Sequence, residues 1–320
     1  SSLAMYATWD AQHYLALATQ GYARAGISMV FFPGWPAAIA LAGSNPATAL
    51  GWALVLSNIC SALALVLLHR WVEARADRER ADRTIVLLLC FPTAFFLCVP
   101  YSEGLFLLLS VACLQTIEQR RFGVAAGLAL LATFVRAPGI CLAVPLLYTI
   151  AVERRWRALP LVAAPALAVV ARFLYVRAVI ADPAQLAEYT ALFVAHQSPW
   201  NFIDLPRLLG LFVQPLRWHG VVDSAINRAL FVGTLAATLA FGRATRDRAL
   251  LLYTLALLWI SGTGPSLVSF SRYALCAVPL FLFLADRLQG RRWATALYVA
   301  IALPLQLVFF LRHIHNYWVG

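Results

Sequence analysis

Apolar tracts recur along the whole chain with arginine clusters between them, and that pattern leaves few folds open. A helix rises about 1.5 Å per residue, so about 20 apolar residues cross the hydrocarbon core of a bilayer. On this measure ten membrane segments are predicted, approximately 47–70, 84–99, 104–118, 123–135, 139–152, 159–180, 223–242, 249–263, 271–288 and 293–312. A chain that is 62% hydrophobic and 12% charged has little polar surface with which to meet water. The expected fold class is all-α, a polytopic transmembrane helical bundle forming a single integral membrane domain over 1–320. Within it, 1–46 is expected to be a first extracytoplasmic loop with interfacial helices, and 181–222 the long extracytoplasmic loop.

The net charge of +11 comes from arginine alone, since the chain has no lysine. Arginines cluster at Arg70 to Arg83, Arg120 and Arg121, Arg154 to Arg157, Arg243 to Arg248 and Arg287 to Arg292, each cluster between apolar tracts. Such loops face the cytoplasm under the positive-inside rule, and the basic balance then reports topology and contact with anionic lipid heads. No soluble nucleic-acid module has room. Ten alternating segments bring every cluster out on one side, whereas one long helix from Thr84 to Glu118 would put the Arg120 pair opposite the Arg70 cluster. The bends at Pro100 to Glu103 and Arg136 to Gly139 therefore fall on the outer side. Asp10, His13, Asp182, Glu188, Asp204, Arg217, Asp223 and Ser271 to Tyr273 share that side.

Phe31 to Ala42 is too short to cross and carries Pro33 and Pro36, so it is expected to be a helix lying in or dipping into the outer interface. The stretch from Leu205 to Trp218 reads as another interfacial piece. Cys60, Cys90, Cys98, Cys113, Cys141 and Cys276 lie in apolar tracts with no metal-ligand spacing and read as small core residues. The absence of a GxxxxGK loop disfavours a nucleotide-fuelled pump.

Few polar residues remain to carry chemistry. Asp10, His13 and Tyr14 fall at i, i+3 and i+4 of a short helix, spacing that would put a base, an orienting partner and a sugar contact on one face. Asp10 could equally cap that helix. Glu103 follows Ser102 at a helix start, where the hydroxyl can cap and the carboxylate can meet the positive helix end; its functional reading is a second acid in an outer cavity. Arg136 and Arg272 sit at outer bends, suited to a phosphate or to snorkelling toward lipid head groups. Arg217 and Arg228 are weaker candidates of the same kind, and His313 and His315 read as interfacial polar residues. An acid, a histidine and arginines in an outer membrane cavity fit group transfer from a lipid-phosphate donor, and fit a lipid or sugar transporter almost as well.

The ordered motifs WDAQHYLALATQGY (Trp9 to Tyr22), FFPGWP (Phe31 to Pro36) and PYSEGLFLLLS (Pro100 to Ser110) resemble the PIG-V mannosyltransferases, of the GT-C class of multispanning glycosyltransferases. Arg136 and the Ser271-Arg272-Tyr273 triplet give looser support. The family's Arg-Ser-Asn-Gly-like turn reads Arg136-Ala137-Pro138-Gly139 here, which keeps the arginine and the turn but not the polar side chains. The resemblance implies a GT-C-type bundle with a further span ahead of residue 1, eleven in all. It also implies an inverting transfer of mannose from polyprenyl-phosphate-mannose to a glycolipid or cell-envelope glycan acceptor. Asp10 would be the base, with His13, Tyr14, Glu103, Arg136, Arg272 and Tyr273 binding substrate.

No structural metal is expected, and a divalent cation near Asp10 is an open alternative. The Ala-rich, lysine-free composition suits a bacterial plasma membrane with the site on its outer face; a eukaryotic member would sit in the ER membrane. The rival functions are a lipid-linked sugar flippase, which makes no bond, a GT-C enzyme using another sugar donor, and an assembly subunit with a degenerate site.

Overall fold

The computed structural model describes residues 5–24, 26–197, 204–213, 224–262 and 267–319, and its regular elements are helices. In chain order they are α1 (Asp10–Gln20), α2 (Gly34–Ala40), α3 (Pro46–Arg75), α4 (Arg78–Leu89), α5 (Glu103–Glu118), α6 (Phe122–Val135), α7 (Ala143–Val152) and α8 (Ala164–Val179). They continue as α9 (Pro183–Gln197), α10 (Leu205–Val213), α11 (Ala225–Ala244), α12 (Arg248–Gly262), α13 (Phe270–Leu275), α14 (Val278–Arg287) and α15 (Arg292–Ile314). Among the described residues four helices are long and apolar enough to cross a membrane: Pro46–Arg75, Trp156–Val179, Ala225–Ala244 and Arg292–Ile314. The first of these is α3, which starts where Asn45 Oδ1 accepts from the backbone N–H groups of Ala47 and Thr48 and Pro46 opens the first turn. The stretch Trp156–Val179 joins a 3-10 segment to α8.

The outer helices expose apolar side chains, as lipid-facing helices must. On α3 these include Val55, Ile59, Leu63 and Val66, and on α15 Leu297, Ile301, Leu307 and Leu311. Leu107, Val111 and Leu114 of α5, Ala125 and Ala129 of α6, and Leu280 to Phe283 of α14 form the buried centre.

Two predicted segments are broken. The 84–99 tract is helical only to Leu89 and then turns through Pro92 into a 3-10 turn at Ala94–Leu97. Non-helical backbone at membrane depth survives only where protein satisfies its polar groups, and here two neighbouring helices do so. On α3, Ser57 and Ser61 donate their hydroxyls to the Leu97 carbonyl at 3.2 and 2.6 Å, and Asn58 donates to that of Cys98 at 3.0 Å. On α15, Gln306 donates to the carbonyls of Leu89 and Phe91 at 3.0 and 3.1 Å. The 271–288 tract divides into α13 and α14, because Pro279 in the first turn of α14 has no N–H with which to continue the preceding helix. Arg272 is thereby carried on a short separate helix.

The arginine clusters converge at one end of the bundle. Arg75 bonds Glu118 and Asp247, each at 2.7 Å, Arg80 bonds Asp286 at 2.6 Å, and Arg120 pairs with Glu153. These pairs tie together the ends of α3, α4, α5, α7, α12 and α14, the grouping that the parity argument requires. The opposite end gathers α1, α2, the 90–102 connection, α13 and the last turns of α6 and α15.

At that end α2 packs one face into the protein and leaves Ala37, Ala40 and Leu41 exposed on the other. Its Trp35 and Ile39 are fully buried, and Trp35 Nε1 donates to the Pro100 carbonyl at 3.2 Å. The predicted interfacial piece at 205–218 contains α10 over Leu205–Val213, and residues 214–218 lie outside the described residues. Cys90 is half-buried and Cys98 exposed, so these two are not core cysteines.

Two glycines grip the final turn of α6. A Cβ on Gly34 would meet the Phe134 carbonyl carbon at 2.8 Å, and one on Gly139 would meet Thr133 N and, at 2.5 Å, Ala132 C. Both contacts are with backbone just ahead of Arg136, so neither can be relieved by turning a side chain. Gly139→Ala is expected to destabilise the protein by about 1–3 kcal/mol, as overpacking of a close contact does. A thermal unfolding midpoint in detergent equal to the wild type would show that the close contact is not required.

Candidate active site

The site is a chain of four charges. Asp10 Oδ2 accepts from Arg272 Nη1 at 2.5 Å, Arg272 Nε donates to Glu103 Oε1, and that same oxygen accepts from Arg136 Nη1. Side-chain exposure is 18% for Asp10, 3% for Arg272, 0% for Glu103 and 9% for Arg136, so Asp10 is the end that solvent reaches. Two cations alternate with two anions, which is how buried charges avoid the full desolvation cost.

Aromatic rings cover the guanidinium faces. Arg272 lies 4.9 Å from the Phe96 ring centre and 4.8 Å from that of Tyr101, and Arg136 lies 5.6 Å from that of Tyr273. Such faces favour cations in poorly hydrated sites. Among the described residues, Glu103 Oε2 is buried and has no hydrogen-bond partner.

Each member arrives on a different element. Asp10 is the first residue of α1, after Trp9 at φ +52°, a left-handed turn that a non-glycine residue adopts only under constraint. Neither capping reading holds. No side-chain cap bond forms at the start of α1 or of α5, and Ser102 has helical backbone angles. The Ser102 hydroxyl instead lies 3.1 Å from the Tyr14 hydroxyl and accepts from Arg136 Nη1 at 3.3 Å. Glu103 is thus the pivot of the ion-pair chain, and neither Arg136 nor Arg272 snorkels to the lipid surface.

The shared face expected for Asp10, His13 and Tyr14 divides in two. At about 100° per residue, positions i+3 and i+4 diverge. Tyr14 points to Ser102, whereas His13 Nδ1 lies 2.7 Å from Ser28 Oγ and its ring stacks on Phe31 at 5.0 Å. Among the described residues Asp10 is held by Arg272, not by His13. Burial, together with the Asp10 carboxylate, pushes the Tyr14 phenol well above its ordinary range, so Tyr14 stays neutral.

His315 is exposed as expected, but His313 is buried at 1% exposure with Nε2 3.1 Å from Thr8 Oγ1. It is not an interfacial residue. Arg228 is buried on the first turn of α11, Asp182 and Glu188 are exposed, and Arg217 and Asp223 lie outside the described residues. No three His, Cys, Asp or Glu side chains gather as a metal cage among the described residues.

Arg172, which no sequence motif marks, is 1% exposed within α8. Its Nη2 donates to the carbonyls of Met29 and Val30 at 2.9 and 2.8 Å, and its guanidinium lies 4.3 Å from the Phe32 ring centre. It ties the FFPGWP segment to a membrane helix. The signal was an arginine deep in an apolar tract, where charge is expensive.

The chain is 33% identical over 144 residues to the GPI alpha-1,6-mannosyltransferase 2 of Rattus norvegicus, covering 41% of this chain and 29% of that protein. Against the GPI mannosyltransferase 2 of Yarrowia lipolytica it is 29% identical over 118 residues, covering 37% and 33% respectively. These matches span at most about a third of the relatives' length. Among solved structures, the apo oligosaccharyltransferase of Archaeoglobus fulgidus aligns with a TM-score of 0.46 at 15% identity, covering 91% of this chain and 48% of that one. The family model described as mannosyltransferase (PIG-V) matches residues 1–222, a stretch that supplies Asp10, Glu103 and Arg136, while Arg272 comes from beyond it. With well over half of its length matched, the chain belongs to the PIG-V mannosyltransferase family.

Proposed function

We propose that this protein transfers mannose from polyprenyl-phosphate-mannose to a hydroxyl of a glycolipid or cell-envelope glycan, with inversion, on the extracytoplasmic face of a bacterial plasma membrane. The observation that carries the reading is Asp10 at the solvent-reached end of a buried ion-pair chain. Its Oδ2 is held by Arg272, and its Oδ1 has no hydrogen bond among the described residues. That leaves one carboxylate oxygen for a substrate proton. Family membership and the mannosyltransferase names of the relatives support the sugar.

In the proposed reaction the acceptor oxygen attacks the anomeric carbon from the face opposite the phosphate. The bond from that carbon to the phosphate oxygen breaks, its electron pair leaves with polyprenyl phosphate, and Asp10 takes the acceptor proton. Arg272 and Arg136 offer positive charge, already oriented by Glu103, to the departing phosphate. The half-buried Tyr273 and the half-buried His13–Phe31 stack supply polar and aromatic surface for the sugar, with the buried Tyr14 holding Ser102 behind them. Residues 1–320 act in this reading as one membrane domain.

The test is transfer of labelled mannose by the purified protein in liposomes. Label is expected in an acceptor when polyprenyl-phosphate-mannose is supplied, and not when the only donor is a nucleotide-linked mannose. Movement of the carrier between leaflets with no glycosylated product would establish the flippase instead.

A further inference from the structure

Thr8 is held from two directions. Its carbonyl accepts from the Tyr101 hydroxyl at 3.1 Å and from the Ala11 N–H at 3.1 Å, while its hydroxyl lies 3.1 Å from His313 Nε2. The His313 ring is fixed in turn by Phe95, Phe96 and Tyr101, with centroids 5.5, 5.4 and 5.5 Å away. Phe96 and Tyr101 are the rings that cover Arg272. Next comes Trp9, with its left-handed φ and its ring edge-on to Trp318 at 5.1 Å, and then Asp10.

Residues at the far end of the chain therefore brace the two residues ahead of Asp10. A left-handed Trp9 would relax if unbraced, since only its surroundings hold it there. Relaxation would swing Asp10 away from Arg272.

We propose that His313 is a positioning residue that, through its hydrogen bond to Thr8, fixes the Thr8–Trp9–Asp10 turn and so sets the Asp10 carboxylate on Arg272. This rests on Asp10 being the base. His313 is too deeply buried to touch substrate, and its effect passes through Thr8.

The test compares His313→Phe, which keeps a ring but loses the bond, with Thr8→Val, which loses only the hydroxyl, and with His313→Gln, whose amide can replace Nε2. Displacement of a reacting group by about 1 Å costs about 10²-fold in rate. Each of the first two variants is expected to lose about 10²-fold in kcat with little change in KM for polyprenyl-phosphate-mannose. The double variant is expected to be no worse than either single one, and His313→Gln to recover most of the rate. Independently of any donor, hydrogen exchange in the peptide spanning residues 5–14 is expected to rise in both single variants and to stay unchanged elsewhere.

Wild-type exchange in that peptide, or losses that multiply in the double variant, would overturn the proposal. Asp10→Asn, assayed alongside, separates the two readings. A dead Asp10→Asn beside a fully active His313→Phe removes the positioning role alone, and an active Asp10→Asn removes the base.

Discussion

Asp10→Asn is expected to lower kcat for mannosyl transfer by about 10²–10⁴, the usual contribution of a positioned base. The amide has nearly the volume of the carboxylate, and its oxygen can still accept from Arg272, so the fold and the donor site should persist. What it lacks is a basic oxygen for the acceptor proton. Because Asp10 is the exposed end of the ion-pair chain and Arg272 keeps Glu103, donor KM should stay close to wild type and the unfolding midpoint should fall far less than in Glu103→Gln, while turnover collapses. Asp10→Glu keeps the charge but moves it by a methylene, and it is expected to be impaired through geometry instead. Full transfer activity in Asp10→Asn would assign the proton to another group.

Glu103→Gln is expected to have the largest effect on stability. Glu103 is fully buried and its Oε1 serves both guanidiniums, so neutralising it leaves two cations in a poorly hydrated region with Asp10 as the one remaining anion of the chain. Removing one partner of a buried ion pair costs about 3–5 kcal/mol. The loss should appear as a lower unfolding midpoint in detergent. Adding Arg136→Met, which takes away one stranded cation, should restore part of it. If the double variant is less stable than Glu103→Gln alone, charge balance is not what makes Glu103 necessary.

The two experiments separate roles that a single activity assay would merge. Loss of Asp10 should stop chemistry in a stable protein, whereas loss of Glu103 should loosen the frame that holds Arg136 and Arg272.

Much of this protein is legible in its sequence because lipid imposes local rules. A bilayer of fixed thickness sets the length of apolar tracts, and arginine marks one side, so the long helices and the grouping of the arginine loops follow from composition and spacing. Asp10, Glu103, Arg136 and Arg272 were visible for the same reason, as charges where charge is costly.

Pairing was not legible. Asp10 meets Arg272 across 262 residues, Glu103 meets Arg272 across 169, and Thr8 meets His313 across 305. Nothing in local spacing reports such contacts. The division of His13 from Tyr14, the break of 84–99 at Leu89 and the burial of α2 depend on partners supplied by other turns and helices: Ser28 and Ser102, Ser57 and Gln306, and the Pro100 carbonyl. Composition and spacing set which residues must avoid lipid. Packing sets which of them meet, because a buried charge or an open carbonyl is satisfied by whichever partner the packed helices bring within reach.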